Sequence, residues 1–150
     1  MTSAYTIAQL PADKADQAFP LIRMAERGLE LDDWRRTRRS ASYNDDGAPA
    51  ARGVLVAVGP RGYVHGLCIS ALARDPGGER TMDVSHFIVG SILDPEGVAD
   101  ALVLGLVERA RGKDCARLRI SMAAADIPTL LVLGKACESA GRSSLEIELY

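Results

Sequence analysis

The stretch Val84–Val103, VSHFIVGSILDPEGVADALV, constrains this chain more than any other. It reads as an apolar strand, a short loop holding Pro95 and Gly97, and an apolar helix. The first N–H groups of a helix have no intrahelical partner, and the helix dipole turns its positive end toward the preceding loop. A strand that opens directly onto a helix is therefore a place to bind an anion such as a phosphate.

The remaining bounds are broad. A chain of 150 residues, 47% hydrophobic and 25% charged, suits one globular domain over 1–150 with a sizeable core. A formal net charge of −2 gives the molecule as a whole no pull on nucleic acid or acidic membranes. Met1–Leu10 lacks the basic start and apolar core of a secretory signal, and no apolar run approaches the roughly 18 residues of a membrane span. Cys68, Cys115 and Cys137 are far apart and form no CxxC pair, so neither a disulfide framework nor a metal site is expected. The natural setting for such a chain is the reducing cytoplasm.

Periodicity and turn residues order the elements. Tyr5–Leu10 reads as a strand stopped by Pro11, and Asp13 to about Arg27 as a helix with an apolar stripe of Ala15, Ala18, Leu21, Ile22 and Ala25. Leu29–Arg39 reads as a charged helix and Ala41–Arg52 as a polar loop. Gly53–Val58 and Tyr63–Leu72 are strands joined by a hairpin turn at Gly59-Pro60-Arg61-Gly62. After the turn Asp75–Glu79 comes the strand Thr81–Val89, then the loop Asp94–Gly97 and a helix from Val98 to about Arg111. Ala116–Met122 is a strand. Asp126 caps a helix that carries Pro128 in its first turn and runs to about Gly141, and Ser144–Leu149 is a last strand. The expected fold is α/β (α+β): a mixed sheet, mostly antiparallel, with a central parallel β-α-β pair and helices on both faces.

This element order resembles the GNAT superfamily of acyl-CoA-dependent N-acyltransferases, with the chain as a divergent member. Those domains hold acyl-CoA between two parallel strands that splay apart. Their signature after the fourth strand is Gln or Arg, two residues, Gly, one residue, then Gly or Ala. The matching segment is Asp94-Pro95-Glu96-Gly97-Val98-Ala99, at the family's distance from Val89. The resemblance covers nearly the whole chain by element order, and Val84–Val103 by motif. It implies acetyl-CoA as cosubstrate, with the diphosphate on the backbone of Asp94–Ala99 and the pantetheine arm along Phe87, Ile88 and Val89. Gly97 and Ala99 fit the pattern, since small side chains let backbone N–H groups approach a pyrophosphate. Asp94 stands where Gln or Arg is usual, and Glu96 adds a second carboxylate. In the stretch matching the family's Tyr-Glu-x-x-Gly-Phe, Cys137 takes the place of the tyrosine that protonates the leaving thiolate. A further strand is usual beyond Tyr150, so the sheet is expected to be one strand short or completed by a second subunit in a homodimer.

Single residues carry two readings each. By strict two-residue alternation His86 shares a strand face with Val84 and Ile88. It is a base for an attacking amine, or the commoner hydrogen-bonded histidine at a core rim. Cys137 is a proton donor in place of tyrosine, or a buried structural thiol, which is the commoner case. Trp34-Arg35-Arg36-Thr37-Arg38-Arg39 is a basic cluster preceded by Asp32 and Asp33, and reads as a solvated helix face in preference to a nucleic-acid surface. In the resembling family this region lines the acceptor side, which assigns Trp34 and Tyr43 to the substrate pocket. The function implied is transfer of an acyl group, most often acetyl, to a small-molecule or peptide amine. The rival reading is a GNAT-shaped assembly or regulatory module that has lost CoA binding, favoured by Asp94, Glu96, Cys137 and the stop at Tyr150.

Overall fold

The computed structural model describes residues 5–25, 27–36, 52–91, 93–122 and 145–149. Among them six strands form one sheet in chain order: β1 (Thr6–Gln9), β2 (Arg52–Val58), β3 (Val64–Arg74), β4 (Arg80–Val89), β5 (Arg117–Met122) and β6 (Leu145–Leu149). β1 to β4 pair antiparallel, while β4–β5 and β5–β6 pair parallel. Helix α1 (Ala15–Ala25) follows a 3-10 turn at Ala12–Lys14, and α2 (Pro95–Gly112) connects β4 to β5. The expected mixed sheet and parallel β-α-β unit are both present. The expected loop Ala41–Arg52, apart from Arg52 which is the first residue of β2, and the expected helix from the Asp126 cap to about Gly141 lie outside the described residues.

A strand buried on both faces must be apolar at odd and even positions alike. β2 satisfies this. Leu55 and Ala57 pack with Val98, Leu102 and Leu106 of α2, while Val54 and Val56 pack with Ala18 and Ile22 of α1. The helices therefore cover opposite faces of the sheet. Turn residues set the strand order: Gly59 N–H donates to Tyr63 O at 2.9 Å, and Gly62 takes the left-handed φ of +85° that closes the β2–β3 hairpin.

Helix α2 lies close on the sheet because glycines stand beneath it. A Cβ at Gly66 of β3 would fall 2.6 Å from Val98 Cγ1 and 3.1 Å from Ile88 O. On the same sheet-facing side of the helix, a Cβ at Gly105 would fall 2.5 Å from Ile7 Cγ2 of β1. Residues 31–36 are helical and are pinned to α1 by Trp34, which is 1% exposed and donates its indole Nε1 proton to Ala15 O at 2.6 Å. Arg35 reinforces this contact with two hydrogen bonds to the Asp16 carboxylate, at 3.0 and 2.7 Å.

Two local expectations are corrected. The helix expected from Val98 begins at Pro95, with Asp94 as its N-cap, because the Asp94 carboxylate accepts a hydrogen bond from Gly97 N–H. A proline at the first helical position gives up no hydrogen bond there, so Asp94-Pro95 starts the helix instead of forming a loop. The face expected for His86 also changes. Ile69 pairs with His86 and Ser70 with Val84, which leaves Ser85 as an extra residue in β4. This bulge resets the alternation. Val84 faces the α2 cluster, and Ile88 faces the α1 cluster. His86 shares a face with Ile88 and not with Val84.

Gly66→Ala should lower stability by about 1–3 kcal/mol, since α2 must shift to admit the methyl group. The change would be read as a lower urea midpoint at constant m-value. An unchanged midpoint would contradict the close seating of α2 on β3.

Candidate active site

The β4–β5 ladder is short. It pairs Thr81–Val84 with Arg117–Ile120, and β4 then runs on to Val89. Among the described residues no strand continues this ladder past Val84. The parting coincides with the bulge at Ser85, where an extra residue bends the strand. On its other side β4 stays paired with β3 to the end, and Gly90 N–H donates to His65 O at 2.8 Å. Backbone groups in an antiparallel ladder alternate in direction. The Gly90 and Ile88 N–H groups therefore point to β3, and the Phe87 and Val89 N–H groups point into the opening. A strand edge of this kind inside a sheet can accept an extended chain as an added strand. Of the three β4 residues that the resemblance assigns to a pantetheine arm, Phe87 and Val89 offer donors there and Ile88 does not. The Phe87 and Ile88 side chains are buried in the core.

His86 lies at the start of this edge and is partly buried. Its Nδ1 lies 2.9 Å from Ser85 Oγ, and the Ser85 hydroxyl donates to Ile69 O at 3.4 Å. A hydroxyl has a single proton. With that proton on Ile69 O, the Ser–His contact is completed by an Nδ1–H donor, and Nε2 becomes the acceptor nitrogen. Ser85 is thus a residue that motif reading missed, since a bulge has no fixed sequence signature. Asp83 lies on the same face of β4, and its Oδ1 is buried with no hydrogen-bond partner among the described residues.

At the N-terminus of α2 the Gly97 and Val98 amides are satisfied within the chain. Asp94 N–H donates to Ser91 Oγ at 3.0 Å, Pro95 has no N–H, Gly97 N–H donates to Asp94 Oδ1 at 3.1 Å, and Val98 N–H donates to Asp94 O at 3.2 Å. Ala99 is the fifth helical residue, so its N–H belongs to the helix's own ladder. The Asp94 carboxylate is also held from β1's side, where the Tyr5 hydroxyl donates to Oδ2 at 2.8 Å. Burial and the Asp94 charge push the Tyr5 hydroxyl pKa up, which keeps it a donor. A Cβ at Gly97 would collide with the Asp94 carboxylate, so the glycine is required by the cap itself. Burial first, then the charges of Glu96 and Asp94, push the Asp100 carboxyl above its ordinary range. This end of the helix is acidic, and its amides do not fit the diphosphate that the sequence motif implies.

Trp34 is a core residue whose ring offers no exposed surface to a substrate. Tyr43 and Cys137 lie outside the described residues. Arg35 and Arg36 are paired with Asp16 and Asp33, consistent with a solvated helix face.

Solved structures share this architecture. An aminoglycoside N-acetyltransferase in complex with CoA superposes with a TM-score of 0.73 at 14% identity, over 91% of this chain and 88% of its own. A ribosomal-protein-alanine N-acetyltransferase from Brucella melitensis biovar Abortus 2308 gives 0.66 at 21% identity, over 88% of this chain and 89% of its own. A transcriptional regulator from Bacillus halodurans C-125 gives 0.73 at 13% identity, over 93% of both chains. The fold is that of the GNAT acetyltransferases. No family model matches the chain, and no curated protein matches it. A GNAT fold carries no activity by itself, so function rests on the site.

The raised Asp100 pKa has a testable sign. The folded state holds the Asp100 proton more tightly than the unfolded chain, so the ionised group costs stability above the ordinary carboxylate range. Asp100→Asn should raise the melting temperature at pH 7, and the gain should shrink as pH falls toward about 4. A lower melting temperature, or a gain independent of pH, would contradict this reading.

Proposed function

We propose that this protein is an N-acyltransferase that takes an acyl thioester in the β4–β5 opening and passes the acyl group to a primary amine. The observation that carries this reading is the edge of β4 beyond the Ser85 bulge, with Phe87 and Val89 N–H groups turned into the opening beside His86. An extended pantetheine arm has amide groups that match such an edge. A backbone N–H that meets the thioester carbonyl oxygen stabilises the negative charge that develops there.

The step balances with few groups. The amine nitrogen attacks the thioester carbon, the C–N bond forms and the C–S bond breaks. His86 Nε2 takes the proton released by the amine. The departing thiolate takes a proton from water or from Cys137. Orientation within the opening supplies much of the rate, so a strong acid is not required.

The α2 cap favours a second reading, a GNAT-shaped module without CoA binding that serves in assembly or regulation. Thiol release from acetyl-CoA and from acetyl-pantetheine, measured over a panel of amines, separates the two. The enzyme reading expects amine-dependent release, and His86→Gln should lower kcat by about 10²-fold or more. Release no faster than thioester hydrolysis, from both donors and with every amine, would leave the module reading.

A further inference from the structure

We infer that Asp94 is a built-in anion that fills the α2 N-terminus, so that this protein selects thioester donors by the pantetheine arm and gains no affinity from a nucleotide diphosphate. The inference rests on the acyltransferase reading for its donor class, while the closed helix end stands on its own geometry.

Three observations converge on Asp94. Its Oδ1 occupies the Gly97 amide at 3.1 Å, where a phosphate oxygen would need to be. The residue is held on three sides: its N–H by Ser91 Oγ at 3.0 Å, its Oδ2 by the Tyr5 hydroxyl at 2.8 Å, and its backbone carbonyl by Val98 N–H at 3.2 Å. The Gly97 backbone approaches so closely that a side chain there would strike the carboxylate. A diphosphate must therefore displace a carboxylate that Gly97 N–H and the Tyr5 hydroxyl, from two separate segments of the chain, hold in place. It would then meet Glu96 in the same turn and Asp100 in the next. Like charges at such spacing repel even when water screens them. The features that resemble a diphosphate loop in sequence, Gly97 and the short turn, serve an internal carboxylate instead.

The test uses calorimetry on the full chain with three probes: acetyl-CoA, acetyl-pantetheine, and 3′-phosphoadenosine 5′-diphosphate, the nucleotide half of CoA. In the wild type, acetyl-CoA should bind within about threefold of acetyl-pantetheine, a difference of less than one pK unit of affinity. The nucleotide should not bind. Asp94→Gly with Glu96→Gln opens the helix end and keeps a residue tolerated at an N-cap. It should bind the nucleotide and gain at least tenfold for acetyl-CoA, with acetyl-pantetheine unchanged. Asp94→Asn keeps the cap without the charge and should gain less, which separates occupancy from repulsion. Thermal melts confirm that each variant is folded. The inference is overturned if the wild type binds the nucleotide, if it binds acetyl-CoA tenfold or more above acetyl-pantetheine, or if the opened variant gains nothing. Wild-type protein that binds neither thioester defeats the acyltransferase reading alone, because the nucleotide arm still decides the role of Asp94.

Discussion

One extra residue in β4 organises the site. Without Ser85 the strand would continue its alternation, and its ladder to β5 could run on beyond Val84. With it, the side-chain faces exchange, the strand bends, and the hydrogen-bond edge of Phe87–Val89 is left toward the β5 side. The same residue places its hydroxyl on His86 Nδ1 and so orients the imidazole. The bulge thus sets the opening and the histidine beside it together. Pairing to β3 on the far side keeps β4 in the sheet while it parts from β5.

The second constraint is the seating of α2. Gly66 and Gly105 let the helix approach the sheet closely, and this carries its N-terminus to the end of β4. In a protein built to hold a nucleotide, that end would present unsatisfied amides. Here the Gly97 and Val98 amides are taken by Asp94, and Tyr5, packed on the same face of the sheet as α2, locks the carboxylate. The two halves of the site have separate characters: a β4 edge suited to an extended amide-bearing arm, and a helix end filled by the protein's own charge. The GNAT fold brings them together without requiring that both bind ligand.

Most of the fold was legible in the sequence because strands and turns leave local marks. β2 has apolar residues on both faces, Gly62 and Gly78 sit at the turns, and the apolar run of α2 reads as a helix. The start of α2 was legible too, since Asp followed by Pro is a cap and first-turn pair. Motif spacing pointed to Val98 instead, and that displaced start made amides of Gly97, Val98 and Ala99 look available. The bulge was not legible: any residue can occupy it, and strict alternation put His86 on the wrong face. Trp34 was assigned to a pocket because the matching region of the resembling family lines the acceptor side, whereas here its ring is buried and its indole N–H is held by Ala15 O of α1.

The central claim is that the β4 edge beyond Ser85 receives an extended thioester-bearing arm. The most direct measurement is a backbone amide NMR titration of the full chain with acetyl-pantetheine. The account predicts that the Phe87 and Val89 amide signals move most, with Ile88 much less because its N–H is turned to β3. Shifts confined to other parts of the chain, or equal shifts along β4 without alternation, would contradict it.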